Sequence, residues 1–381
     1  MSAFDLAALR SAKDLTLDTL LTFAHEQGAS DLFLKADARP ALKKQGHIVT
    51  TDLPTLDEQD AKRLAYEHLR DDQRTNFQKQ LEMNLSFTVP GVARVRQNVY
   101  QQRDTVATTC RLIPLKVKSM ADLGIESKAI RSLTTAHNGL VLVTGATGSG
   151  KSTTLAAVID HINDTRDVNI VTIEDPIEYV HPDKTAIVSQ REVGIDTLSF
   201  HEALKQVLRQ TPDVILIGEL RDLDTVNVAL QAAETGHLVL ATLHTSSAAE
   251  TLDRIANLYQ PHERAALWLR LSVCLRGVIS QKLLRKADGS GRIVAMEIMV
   301  ATPTISKQLE EGRSNDMYAA MRQDGTEDYY GMRTMNQTLD GYVAQGLIRI
   351  EDALANAGDL AELKQMLRKG ATERSTLAVA A

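Results

Sequence analysis

Residues 139–163 read GLVLVTGATGSGKSTTLAAVIDHIN: an apolar run Leu140–Thr144, a glycine-rich turn Gly145–Ser152, and an amphipathic stretch Ser152–Asn163. Leu155, Val158, Ile159 and Ile162 share one side of that stretch, so the pattern predicts a buried strand, a tight loop and a helix. The loop, GATGSGKS, fits G-x-x-x-x-G-K-[S/T] in full. Its residue types suit a polyphosphate. Gly145, Gly148 and Gly150 let successive backbone N–H groups turn inward with no Cβ in the way. Lys151 brings a point charge to the β- and γ-phosphates of ATP, and Ser152 offers its hydroxyl to Mg²⁺. The helix that starts here aims its positive end at the same anion. Ala146, Thr147, Ser149 and Thr153 complete the nucleotide contacts of loop and first turn. The alternative is a chance match in a glycine-rich loop; the strand before it and the helix after it argue against that.

Downstream, strands and helices alternate. Ile170–Ile173, Val214–Ile217 and LVLAT (238–242) are apolar strands; Phe200–Gln210, opened by Ser199 and Glu202 as a capping box, and Asp224–Thr235 are helices. Continuous apolar strands between helices predict an α/β fold with a parallel sheet covered on both faces. From about Pro261 to Lys369 the chain reads mostly as helices, and the Ala-rich tail after Gly370 reads as frayed.

Ligands of such sheets collect at strand ends. VILIGE (214–219) delivers Glu219 beside the phosphates, where a carboxylate can orient or deprotonate water, directly or through the Mg²⁺ shell. IEDP (173–176) leaves Glu174 where Pro176 ends a strand. A helix cap or a surface ion pair is the plain alternative for either acid. His237 and His244 bracket one strand, and their odd separation argues against a shared metal. His244, at the strand's end, can sense a γ-phosphate; either histidine can equally be a hydrogen-bonded structural residue.

Upstream, about Leu15 to Arg111 reads as a small α+β unit. Leu17, Leu20, Leu21 and Ala24 predict a helix stopped by Gly28; Asp31–Lys35 is a short strand, and Asp57–Arg70 a second helix. Leu85–Val89 and Val92–Gln101 flank Pro90-Gly91 as a hairpin, with Arg94 and Arg96 on one strand face. Arg94, Arg96 and Arg111 are either fingers that reach a nucleotide or a solvated strand face. Pro114–Ser127, with its proline, glycine and charges, reads as a linker.

Bulk properties narrow the classes. The 381 residues are 43% hydrophobic and 24% charged, an ordinary globular profile. A net charge of −6, with no basic cluster interleaved with aromatics, argues against a nucleic-acid partner. Cys110 and Cys274 are too few and too far apart for a zinc or disulfide framework. No signal-like N-terminus and no run near the ~20 apolar residues of a membrane span occur, so a cytoplasmic protein without direct membrane insertion is expected.

Together these blocks resemble the type II/IV secretion ATPase superfamily, and within it the PilT/PilU branch of type IV pilus retraction ATPases. The resemblance covers about Gly28 to Leu367 and rests on GASDLFL (28–34), GLVLVTGATGSGKSTTLAA (139–157), TIEDPIEYVH (172–181), QREVGIDTLSF (190–200), LRQTPDVILIGELRD (208–222) and ETGHLVLATLHTSSA (234–248). It implies a PAS-like N-terminal domain (1–112), a linker (113–127), a RecA-like ATPase domain with a helical C-terminal part (128–370) and a flexible tail (371–381). It also implies a homo-hexamer that binds ATP and Mg²⁺, driving pilus retraction and twitching motility. The roles implied are Lys151 and Ser152 for phosphate and Mg²⁺, Glu219 as catalytic carboxylate and Glu174 as a second acid. His237 and His244 fall at the family's histidine positions, and Arg96 and Arg111 where its N-terminal domain reaches nucleotide. The implied partner is an inner-membrane pilus platform protein, which would place the chain peripherally at that membrane.

Two departures bear on the branch. The chain has no four-cysteine zinc element and no room for an added N-terminal region, which favours retraction over assembly. TISKQLEE (304–311) keeps only Ile305 and Glu311 of the AIRNLIRE-like helix of retraction motors. Segments 267–284 and 351–368 resemble PilU more than PilT, implying an accessory motor beside a paralogous retraction ATPase. An alternative is an ATP-binding regulatory subunit that docks on the paralogous ring with little turnover of its own.

Overall fold

The computed structural model describes residues 11–44, 46–323 and 329–380. The chain divides into two compact units, Met1–Lys116 with Glu178–Val180, and Val117–Ile177 with His181–Ala381.

The first unit holds helix α1 (Leu17–Glu26), strands β1 (Asp31–Leu34), β2 (Ala41–Lys44) and β3 (His47–Thr50), helices α2 (Glu58–Tyr66) and α3 (Asp71–Gln80), and strands β4 (Glu82–Val89), β5 (Ala93–Gln102) and β6 (Thr105–Pro114). The strands form one antiparallel sheet in the order β3-β2-β1-β6-β5-β4. Thr16 caps α1, and Leu17, Leu20, Leu21 and Ala24 pack into the core against Leu32, Leu34, Val95 and Cys110. Period two in β5 buries Ala93, Val95, Gln97 and Val99 and leaves Arg96 exposed. The helix expected over 57–70 ends at Tyr66, and a separate α3 follows it.

The second unit runs α4 (Lys128–Thr135), β7 (Gly139–Thr144), α5 (Lys151–Thr165), β8 (Asn169–Glu174), β9 (Ile187–Glu192), α6 (Phe200–Val207), β10 (Val214–Ile217), α7 (Leu223–Glu234), β11 (Leu238–Leu243), α8 (Ala248–Ala256) and α9 (Arg264–Cys274). Two strands then follow, β12 (Leu275–Arg285) and β13 (Arg292–Val300), before helices over Pro303–Glu310, Met317–Met321, Met335–Ala344, Ile350–Ala355 and Leu360–Ala380. The sheet order is β13-β12-β7-β11-β10-β8-β9, parallel throughout except for β13.

Side-chain alternation splits the strands between two cores. Leu140, Leu142, Val171, Ile173, Ile215, Ile217 and Val239 face α6, α7, α8 and α9, while Val141, Val143, Ile170, Val214, Leu216 and Leu240 face α4 and α5. Each such residue, fully buried, contributes about 1.5–3 kcal/mol, which is why strands this short hold position.

Within the mostly helical stretch beyond Pro261, β12 and β13 are two strands that the sequence reading does not separate. LRGVISQKLL is apolar enough to fit either class, and pairing with β7 on one side and β13 on the other makes it a strand. The stretch expected as a flexible tail, 371–381, continues the last helix to Ala380; its side chains and residue 381 lie outside the described residues.

Candidate nucleotide site

The parallel strands β7, β8, β10 and β11 end together, and the sequence-predicted residues gather at that edge. β7 runs into the phosphate loop, where Gly145, Gly148 and Gly150 have φ of 146°, 80° and 90°. Those values lie in the region glycine adopts freely. A Cβ on Gly145 would lie 2.5 Å from both the Gln281 carbonyl oxygen and Ser149 Oγ, so the space too requires glycine. Gly150 is the N-cap of α5, and Lys151, Ser152 and Thr153 form its first turn. Ala146, Thr147 and Gly148 are exposed, so the loop opens to solvent, while Ser149 and Lys151 are buried.

Lys151 folds back over its own loop. Its Nζ donates to the carbonyls of Gly145 at 2.7 Å and Ala146 at 3.2 Å, and lies 3.4 Å from His244 Nδ1. His244 Nε2 is 3.1 Å from Glu219 Oε1, and Glu219 Oε2 accepts from Arg221 Nε at 2.7 Å. Arg221 also reaches Asp175 Oδ2 at 3.4 Å, and its guanidinium lies 5.7 Å from the Phe200 ring centre. The hydrogen-bonded Glu219 carboxylate pushes the Arg221 pKa up further, fixing it as a cation. A continuous chain, Lys151–His244–Glu219–Arg221–Asp175, therefore spans the strand ends.

The backbone explains why Glu219 sits there. Gly218 N–H donates to the Ile173 carbonyl at 2.8 Å and Leu220 N–H to the Thr242 carbonyl at 3.0 Å, clamping Glu219 between the ends of β8 and β11. A Cβ on Gly218 would lie 3.2 Å from the Ile173 oxygen, so a larger residue would need that carbonyl to give by a few tenths of an ångström. Glu174 is held differently: its Oε1 accepts from Thr172 Oγ1 at 2.7 Å and Gln190 Nε2 at 3.1 Å. Gln190 Oε1 in turn accepts from the His181 N–H at 2.8 Å.

Within the second unit, one expected residue does not join this cluster. His237 lies at the opposite end of β11 from His244, against the C-terminal end of α7, with Nδ1 2.9 Å from the Ala232 carbonyl. That is the structural role left open for it, and the structure does not bring it to the phosphate loop. Arg96 and Arg111 belong to the first unit, directly opposite each other on β5 and β6. Arg111 Nε donates to the buried Asp31 carboxylate at 2.9 Å.

Four contributors were not singled out from sequence: Arg221, Asp175, Gln190 and Gln281. Arg221 and Asp175 adjoin the two acidic motifs, and their proximity to Glu219 and Glu174 was the available signal. Gln281, on β12, donates from Nε2 to the Ser149 carbonyl at 2.8 Å, a pairing across 132 residues with no local signature.

The arrangement fits a Mg-nucleotide. Gly145, Gly148 and Gly150 give the loop the positive φ of an anion nest, Ser149 Oγ is buried without a hydrogen-bond partner, and Lys151 supplies a cation at its mouth. The Ser152 hydroxyl and the Glu219 carboxylate are the hard oxygen donors that Mg²⁺ requires.

Residues 13–377 match the family described as "Type II/IV secretion system protein". The chain is 46% identical over 343 residues to the type IV pilus retraction ATPase PilT of Pseudomonas aeruginosa, covering 90% of this chain and 98% of that protein. To the type IV pilus ATPase PilU of the same organism it is 36% identical over 356 residues, covering 93% and 92%. A crystal structure of the pilus retraction motor PilT with bound ADP matches with a TM-score of 0.85 at 43% identity, covering 92% of this chain and 99% of that one. The ATPase DotB of Legionella pneumophila matches at 0.74 with 28% identity, covering 90% and 97%. Whole-chain identity thus ranks this PilT above this PilU. With nearly its whole length matched, the chain belongs to the type II/IV secretion system protein family, in its branch of PilT- and PilU-like type IV pilus ATPases.

Proposed function

We propose that the chain binds Mg-ATP at Gly145–Thr153 and hydrolyses it to ADP and phosphate, driving type IV pilus retraction as a homo-hexamer. The observation that carries this reading is the Lys151–His244–Glu219–Arg221 chain at the mouth of the phosphate loop. Bound Mg²⁺ would supply charge neutralisation at the phosphates. Lys151 neutralises phosphate charge, and Glu219 orients water and accepts its proton. His244, with Nε2–H toward Glu219 and the Nδ1 lone pair toward Lys151, links the two and is placed to respond to a γ-phosphate. Glu174, steadied by Thr172 and Gln190, is the second acid.

The remaining roles are part of the same reading. Residues 1–112 act as a PAS-like unit, 113–127 as linker and 128–370 as a RecA-like motor unit. The chain works in the cytoplasm against an inner-membrane pilus platform protein, with no part of it inserted in the bilayer. Among the described residues no helix is long and apolar enough to cross one. The 304–311 sequence and the PilU-like segments support work beside a paralogous retraction ATPase.

Complementation tests the pilus part directly. Expressed in a bacterium lacking its retraction ATPase, the chain restores twitching and Lys151→Ala does not. Restoration only when a PilT-like paralogue is also present makes the chain an accessory motor. No effect on twitching in either background contradicts the retraction role.

A further inference from the structure

Strand β12 lies outside every motif that marks the nucleotide site, yet the phosphate loop rests on it. β12 pairs in parallel with β7, with Ser280 level with Thr144 and their hydroxyls 2.8 Å apart. Gln281, the next residue, therefore comes level with the start of the loop. Its backbone limits the loop, because its carbonyl oxygen occupies the space a Cβ on Gly145 would need. Its side chain grips the loop, Nε2 donating to the Ser149 carbonyl at 2.8 Å and lying 3.3 Å from where a Cβ on Gly150 would sit. Gln281 is 1% exposed.

The grip has a consequence for the anion. A trans peptide is planar, so the Ser149 carbonyl and the Gly150 N–H point in opposite directions. Pinning that carbonyl against β12 turns the Gly150 N–H away from β12, the orientation a glycine-rich nest uses to present N–H groups to phosphate. A packing role alone does not account for the side chain. Gln281 Oε1 is buried without a hydrogen-bond partner, a desolvation cost that a leucine or methionine at 281 would not incur.

We propose that Gln281 is a positioning residue that holds the phosphate loop in its anion-binding form, so that β12 sets nucleotide affinity from outside the recognised motifs. The inference rests on reading Gly145–Ser152 as the nucleotide site. The test is calorimetric titration of the full-length chain with ADP, comparing the native chain with Gln281→Leu and Gln281→Asn. Thermal midpoints without nucleotide and steady-state ATPase constants are measured on the same proteins. Loss of the grip is expected to weaken ADP binding about five- to tenfold in both variants. It should raise KM by a similar factor with kcat within twofold; Gln281→Leu removes the unpaired Oε1 but takes the donor from the Ser149 carbonyl, so its nucleotide-free midpoint should stay within a few degrees of native.

ADP affinity unchanged in Gln281→Asn overturns the proposal. So does a lowered nucleotide-free midpoint with unchanged affinity, the signature of packing alone. Should Gln281→Leu fail to fold, Gln281→Asn decides, since it keeps the amide but withdraws it by one methylene. A native chain that binds no ADP defeats the reading of the loop itself, a result distinct from equal binding by native and variant proteins.

Discussion

His244 stands between the phosphate-loop lysine and the acid of β10, its Nδ1 3.4 Å from Lys151 Nζ and its Nε2 3.1 Å from Glu219 Oε1. One neutral tautomer satisfies both contacts, with the proton on Nε2. On the proposed reading, the imidazole couples the group that meets phosphate to the group that meets water. His244→Ala should lower kcat by about 10- to 100-fold, with ADP affinity changed no more than severalfold. Steady-state phosphate release and ADP titration separate the two effects. Equal losses in binding and turnover would instead make His244 a ligand only.

Gly145 offers a sharper steric case. Its φ of 146° and the 2.5 Å approach of a Cβ to the Gln281 oxygen leave no accommodation without moving β12 or the loop. Gly145→Ala should abolish measurable ADP binding and lower the thermal midpoint. Gly148→Ala meets no atom within 4 Å and carries only the backbone penalty of its φ of 80°, about 1 kcal/mol. Calorimetry and thermal denaturation of the pair should therefore rank 145 far above 148.

Stability should fall in mild acid through His181. Burial is the largest cause of its pKa falling to about 4; Asp160 opposes the shift and Lys184 adds to it. The folded state thus takes its proton later than the unfolded chain, which protonates near the ordinary value of ~6.5. The contribution is intact above about pH 6.5 and is lost as pH falls to about 4. The full loss is on the order of 3 kcal/mol. Denaturant titrations between pH 7 and pH 4 should show a steeper loss for the native chain than for His181→Gln. Parallel slopes would remove His181 as the cause.

Much of this architecture was legible because it is local. The change of hydrophobic period around 145–152, the glycines and the capping residues act within a few residues, and strand, loop and helix follow from them. Glu219 and His244 were legible for the same reason, each ending an apolar strand. What escaped depends on pairing at a distance. LRGVISQKLL is compatible with helix or strand until β7 and β13 flank it, and Gln281 acquires its role only through that pairing. Arg221 stood two residues from Glu219, but its link to Asp175 crosses 46 residues and needs β8 beside β10. His237 failed the other way: its motif position suggested nucleotide, while strand direction puts it at the far end of β11 from the phosphate loop.

The most direct test of the motor reading is steady-state ATP hydrolysis by the purified full-length chain, measured beside Glu219→Gln. Glutamine keeps the size of the side chain and removes the base, so turnover should fall by about 10²–10⁴-fold while ADP binding persists. Native turnover that survives in Glu219→Gln, or tight ATP binding with no turnover in the native chain, would contradict an autonomous motor driven from Glu219.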